Sequence, residues 1–377
     1  MSANGVNEGD LLQAAKAEVI HLRDRLQQRR NELQDTDVAT YARRNDRHAI
    51  RYAREDFRPC RTLRGHTGKI YSLDWSYRNK NRIVSASQDG RLIVWNALTS
   101  QKTHAIKLTC SWVMTCAFSP DGHSVACGGL DNNCSIFGLN SHPEPDGNLP
   151  VLRVLYGHRG YLSCCRYVPD EAHIITSSGD RTCRLWDGET FNLVATFGGD
   201  ATSGHAADVM SVSISTSNQK LFVSGSCDKT ARLWDTRVAS RPQHTYYGHR
   251  GDINAVQFLP DGLRFGTGSD DGTCKLFDTR TGHLLQTYED PNPGRSCVTS
   301  LAFSHSGRIL FAGYENQRCY LWDAMLAEVL FDIGNNHSNR ISCLGVASDG
   351  SALCTGSWDS SLKIWAFSGT RQIAGPV

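Results

Sequence analysis

The 377 residues include 40 Lys and Arg against 38 Asp and Glu, for a formal net charge of +2, and 40% are hydrophobic. A balance this near neutral offers no field that would gather nucleic acid, no run of about 18 apolar residues is long enough to cross a bilayer, and no apolar secretory segment follows Met1. The fourteen cysteines fall mostly in strand-like runs without a Cys-x-x-Cys pair, so buried free thiols in a reducing cytosol are expected, with no metal, disulfide framework or cofactor.

Residues 1–9 are expected to be disordered. From 10 to 34 the character changes. Leu12, Ala15, Val19, Leu22, Leu26, Arg29 and Leu33 step by three and four in alternation, the spacing of a coiled-coil seam. Arg29 interrupts the seam, although its aliphatic stem can lie across an apolar partner. A stripe this narrow does not hold a lone helix of about 25 residues in water. A second chain is therefore expected to cover Leu12, Ala15, Val19, Leu22, Leu26 and Leu33. Residues 35–59 read as a connector, with six arginines among five acidic residues: a solvated linker, with a weak attraction to acidic lipid headgroups.

From residue 60 to 367 the chain is periodic. The stretch Ile83 to Asn96 reads as two short strands joined by a tight turn at Gln88-Asp89-Gly90, an Asp-Gly hairpin signal. It returns at Val223 to Asp235 and at Thr355 to Trp365. The last aromatic of each such hairpin falls at Trp95, Phe137, Trp186, Trp234, Phe277, Trp322 and Trp365, at steps of 42, 49, 48, 43, 45 and 43 residues. Six positions earlier stands Asp89, Asp131, Asp180, Asp228, Asp271, Asn316 or Asp359. Gly-His pairs introduce most units: Gly65-His66, Gly157-His158, Gly204-His205 and Gly248-His249, with Asn336-His337 as a near copy.

This Gly-His, Asp, Trp-Asp order over seven units resembles the WD-repeat family. The resemblance implies an all-β fold, a seven-bladed β-propeller with four strands per blade, preceded here by an N-terminal coiled-coil α-helix. In that family the repeat is offset from the blade, so Arg61-Thr62-Leu63 would pair with the C-terminal strands and close the ring. Within each unit the His, the turn Asp, the Ser two residues before it and the Trp indole are expected to form one hydrogen-bonded chain: His66, Asp89, Ser87 and Trp95 in the first. The same structural role is assigned to His158, Asp180 and Trp186, to His205, Asp228 and Trp234, and to His337, Asp359 and Trp365. The set is incomplete in the second (Thr109, Gly129, Phe137), fifth (Phe277) and sixth units (Gly294, Tyr314, Asn316). No Ser-His-Asp set, metal-ligand cluster or phosphate-cradling Gly loop stands outside this framework, so catalysis is not expected.

Several segments narrow the resemblance. Gly65 to Tyr71, Ser111 to Cys116, Cys127 to Asn132, Gly157 to Cys165 and Gly356-Ser357-Trp358-Asp359 are similar to heterotrimeric G-protein β subunits. Thr36-Asp37-Val38-Ala39, the connection Gly198 to His205 and the tail past Trp365, with 368–377 as a C-terminal tail beyond the propeller, lean to the plant type. That resemblance implies an obligate γ subunit on the helix and a GDP-bound α subunit on one propeller face. When GTP releases α, the same face would serve effectors of transmembrane receptors. The α-facing residues carried over by motif are Lys69, Tyr71, Trp112, Met114, Leu130, Asn132, Tyr161, Asp208, Met210, Cys227, Asp252, Asn254, Asp270 and Trp358. A second patch, Thr67, Arg91, Ile93 and Lys102, would meet the N-terminal helix of α. Localisation at the cytoplasmic face of the plasma membrane would come through the lipid of γ. The alternative is a general WD-repeat scaffold, such as a ubiquitin-ligase substrate adaptor, which would lack the paired helix. Independently of family, a loop rim has no folding reason to present Trp112, Met114, Tyr161 and Trp358, and such side chains suit a binding surface.

Overall fold

A computed structural model of the chain describes residues 13, 15–25, 28, 57–142, 148–170, 173–199, 204–290, 296–334 and 336–367. The segments expected as a disordered start, as most of the connector and as the tail lie outside the described residues, as do Leu12, Leu26 and Leu33. The chain divides into two units, Met1–Tyr52 and Ala53–Val377. In the first, residues 15–25 are helical. Val19 and Leu22 of the predicted seam are exposed there, at 55% and 49%.

Among the described residues, the second unit holds 28 strands, from β1 (Phe57–Arg64) to β28 (Ser361–Phe367), in seven four-stranded antiparallel sheets. The first sheet runs β2 (Ile70–Trp75), β3 (Arg82–Ser87), β4 (Arg91–Asn96), β5 (Lys102–Lys107) in sequence order. Five more repeat that order: β6–β9 within Val113–Leu155, β10–β13 within Leu162–Phe197, β14–β17 within Val209–Tyr246, β18–β21 within Ile253–Glu289 and β22–β25 within Val298–Asp332. The seventh departs from it: β26 (Ile341–Val346), β27 (Ala352–Ser357) and β28 are completed by β1 from the far end of the unit. β1 lies antiparallel to β28 from Phe57↔Phe367 to Arg64↔Ser361. The first strand of each sheet packs on that of the next, and β2 meets both β6 and β26, so the ring of seven blades is closed. Closure leaves no broad sheet face open to water.

Burial explains the composition of the strands. The second strand of each blade is buried on both faces, as in β3 with Ile83, Val84, Ser85, Ala86 and Ser87 all below 1% exposure. Strands buried on both sides read as apolar runs rather than as alternation. The cores sit between blades. Between the seventh and the first, Leu63, Leu362 and Ile364 meet Ile70, Leu73, Ile83, Ile93 and Trp95, and Trp75 Nε1 donates across that boundary to Gly345 O at 2.9 Å. Ten of the fourteen cysteines are buried, and all are free thiols.

The turn between second and third strands is built identically in all seven blades. The residue after the turn's Asp or Asn is left-handed: Gly90, Asn132, Arg181, Lys229, Gly272, Gln317 and Ser360. Only two of these are glycine. The acidic or amide side chain pins the loop by accepting the backbone N–H two residues on, as Asp89 Oδ1 does from Arg91 at 3.0 Å and Asn316 Oδ1 from Arg318 at 3.2 Å. That local bond offsets the steric cost of a side chain in the left-handed region.

Candidate functional site

Two sets of polar and aromatic residues gather near these turns, one inside the blades and one on their rim. Inside the first blade, Trp95 Nε1–H donates to Ser85 Oγ at 2.8 Å, Ser85 Oγ lies 2.8 Å from His66 Nε2, and His66 Nδ1 lies 3.0 Å from Asp89 Oδ2. A carboxylate only accepts, so Nδ1 bears the proton and the hydroxyl donates to Nε2. The hydroxyl in this chain is therefore Ser85, and the assignment of Ser87 is corrected. Ser87 stands two residues before Asp89, where its Oγ accepts the Asp89 backbone N–H at 3.3 Å instead. Alternation along β3 puts Ser85 on the Trp95 side at mid-strand, while Ser87 belongs to the turn. The linking hydroxyls elsewhere are Thr176 for His158 and Trp186, Ser224 for His205 and Trp234, and Thr355 for His337 and Trp365. In the fifth blade His249 bridges Asp271 and Thr267 although Phe277 replaces the indole. In the sixth, Ala312 takes the hydroxyl position, and the buried Trp322 Nε1–H has no acceptor among the described residues.

The carboxylates register this packing. Burial pushes Asp89 up, but His66 and the backbone N–H groups of Thr67 and Arg91 outweigh it and bring it down to about 2. Asp180, Asp228, Asp271 and Asp359 lie well below the usual carboxylate range for the same balance of reasons.

On the rim, one backbone bond recurs seven times. The residue just before each turn Asp or Asn donates its N–H to the carbonyl of the residue just before the blade's first strand. The pairs are Gln88 with Lys69, Leu130 with Trp112, Gly179 with Tyr161, Cys227 with Asp208, Asp270 with Asp252, Glu315 with Cys297 and Trp358 with Arg340, at 2.8–3.2 Å. These fourteen positions ring one end of the propeller. Tyr71, Met114, Met210 and Asn254 sit at the second residue of their strands, next to the ring, and Asn132 lies within its turn. The fourteen α-facing residues named from the sequence thus share one face.

The side chains on this face form two contrasting groups. Where blades seven, one and two meet, Tyr71 stacks on Trp112 at 6.2 Å and meets Trp358 edge-on at 5.8 Å. Lys69 Nζ and the Arg340 guanidinium each lie 4.0 Å from the Trp358 ring centroid. Arg340 is held from the other side by Glu315. Cations over an indole fix the ring without drying it, and the Trp358 Nε1–H meets no acceptor among the described residues. Across the face the group is acidic. Tyr161 donates to Asp208 Oδ2 at 2.8 Å and touches Met210 Sδ at 3.4 Å. A side chain at Gly179 would collide with the Tyr161 ring, so that turn must stay bare. Asn254 Nδ2 donates to Asp270 Oδ1 at 2.6 Å. Burial and then Asp252 push the Cys227 thiol up to about 12, so it stays neutral at ordinary pH.

The second predicted patch does not hold together as named. Thr67, Arg91 and Lys102 are exposed, but Ile93 is 1% exposed. β4 is covered on both faces, and Ile93 packs in the core between the seventh and first blades. Its assignment as a surface contact is corrected. Five ring members, Gln88, Gly179, Cys297, Glu315 and Arg340, were missed. Arg340 occupies the repeat position of Lys69, Trp112 and Tyr161, so aligning the units on the first strand would have found it.

A family profile described as "G protein beta WD-40 repeat protein" matches residues 10–366. The chain belongs to that family. It is 64% identical over 361 residues to "Guanine nucleotide-binding protein subunit beta" of Arabidopsis thaliana, covering 94% of this chain and 96% of that protein. It is 64% identical over 369 residues to the protein of that name in Oryza sativa subsp. japonica, and 63% identical to the one in Zea mays, covering 96% and 97% of the two chains each time. The family membership extends through the N-terminal helix, which the adaptor alternative would lack.

Proposed function

We propose that this chain is the β subunit of a heterotrimeric G protein and acts as a scaffold without catalysis. A γ subunit covers the apolar stripe of the N-terminal helix, and a GDP-bound α subunit sits on the ring face. The observation that carries this reading is the Tyr71, Trp112 and Trp358 cluster bracketed by Lys69 and Arg340, on the half of the face opposite in charge to the half that bears Asp208, Asp252 and Asp270. Aromatic and Arg residues that are preorganised yet reachable are what binding hot spots are made of, and a face with one cationic and one acidic half dictates a single orientation of its partner. Release follows if GTP changes the surface of α, because α then binds with different affinity in its two states. The freed face would receive effectors, and attachment to the plasma membrane would come through the partners.

Capture of the α subunit by the full-length chain, with GDP or a non-hydrolysable GTP analogue, tests this. Retention is expected with GDP and loss with the analogue, with a small helical polypeptide co-purifying in both. Equal capture in both nucleotides would remove the proposed mechanism.

A further inference from the structure

We propose that the propeller edge made by β1 and β5 docks on an anionic lipid bilayer. The chain as a whole is nearly neutral, but between residues 57 and 120 it carries ten Lys and Arg and only two Asp. The remaining chain carries 30 against 36. Both aspartates of the segment face inward: Asp74 accepts the Phe118 N–H at 2.8 Å and Asp89 is held by His66. The outside of this region is therefore cationic.

Arg61 and Arg64 are exposed on β1, and Lys102 and Lys107 on β5. Two bonds tie the adjoining edges together: Arg61 Nε donates to Leu98 O at 3.2 Å and Lys102 Nζ to Gly65 O at 3.3 Å. Arg91 and Lys107 stand directly opposite one another across β4 and β5. Like charges so placed repel, and among the described residues no carboxylate pairs with either, or with Arg61, Arg64 or Lys102. Such an arrangement is relieved by an anionic counterpart beyond the described residues.

A bilayer fits better than an acidic peptide. Peptide carboxylates are read by free guanidinium forks, whereas Arg61 spends its Nε and Nη1 donors on the carbonyls of Leu98 and Cys60. What remains is net charge spread along two strand edges, which is what a sheet of anionic headgroups senses. Leu98, 62% exposed at the foot of Arg61, adds an apolar tip of the kind that enters the interface.

The test is sedimentation of the full-length chain, co-produced in bacteria with its γ subunit so that no lipid is attached to either, with vesicles. Phosphatidylcholine alone is compared with about 30% phosphatidylserine at about 0.1 M salt. Binding is expected only with phosphatidylserine and should weaken as salt rises. The triple reversal R61E/R64E/K107E should lower it at least about 100-fold, at roughly fivefold or more per charge. R61K/R64K should retain binding, since charge rather than fork geometry is sensed, and it guards against misfolding of the triple variant. K220E/R241E/R250E, with the same net charge, should also retain it. Binding to both vesicles alike, an unchanged triple variant with a cooperative melt, an equal loss in the control triple, or loss in R61K/R64K would overturn the proposal. Capture of a polyglutamate peptide without vesicle binding would assign the edge to an acidic protein instead. None of Arg61, Arg64 and Lys107 belongs to the proposed α-subunit contacts, so this result stands or falls apart from that reading.

Discussion

The inside of a blade and the rim above it follow opposite rules, though they are separated by one residue of chain. Inside, His, Asp and a hydroxyl recur in five blades with nearly the same distances. On the rim the backbone bond recurs in seven blades, while the side chains it carries run from Gly179 to Trp358. A residue whose partners are all within the blade is constrained by folding. A residue fixed only through its backbone leaves its side chain free to be chosen by a partner. If that contrast is right, changes inside should cost stability and changes on the rim should cost binding.

The largest effect should come from breaking the ring itself. A chain ending at Gly356 loses β28, and with it the partner of both β27 and β1. Two open edges and the uncovered Ile70, Leu73 and Trp95 core would then face water. Failure to fold is expected, seen as loss of a cooperative thermal transition. A truncated protein that melts cooperatively would mean that closure is not what holds the blades.

The rim comes next. Trp112→Ala and Trp358→Ala should each weaken binding of GDP-loaded α subunit by about 2 kcal/mol or more, measured by titration. Their melting temperatures should stay close to that of the parent chain, because neither ring fills the core between blades. A large fall in melting temperature with unchanged affinity would place these indoles with the framework.

The interior is tested most cleanly by two serines in one strand. Ser85→Ala leaves the Trp95 Nε1–H and His66 Nε2 without a partner, and should cost about 1–3 kcal/mol. Ser87→Ala removes one turn bond and should cost under about 1 kcal/mol. Denaturant melts of the two variants decide it, and equal losses would contradict the assigned geometry.

That pair of serines also shows what the sequence could and could not disclose. The ring of seven blades, its closure by the segment around Arg61, and the face bearing Trp112 and Trp358 are all legible. They rest on spacing, and spacing survives in a linear string. Ser85 against Ser87 is not legible from spacing, because both are small hydroxyl residues of the same strand and side. Only the height of the indole along β3 decides between them. Ile93 misled for a related reason: next to exposed Arg91 it reads as flank, but β4 is covered on both faces by neighbouring blades. Arg340 was legible in its repeat position, but its role over Trp358 was not, because that contact joins residues at the ends of two different strands.

The smallest effect, and the one most specific to the interior, is its response to acid. Asp89 titrates near 2 in the folded chain, below its ordinary value of about 3.9, and Asp180, Asp228, Asp271 and Asp359 are lowered as well. A carboxylate whose value falls on folding adds stability that is fully present above its unfolded value and disappears as pH drops through the folded one. The loss should therefore begin at about pH 4, run to about pH 2 for Asp89 and continue to lower pH for the other four; it should not appear near neutrality. Asp89→Asn removes the first blade's share of this dependence. Its deficit relative to the parent chain should be constant from pH 7 to about 5 and should shrink toward pH 2, as protonation deprives the parent of the same charge. Denaturant melts across that range measure the shrinkage. A deficit that holds its size down to pH 2 would mean that Asp89 serves by shape and hydrogen bonding alone, and the interior would then differ from the rim in packing but not in charge.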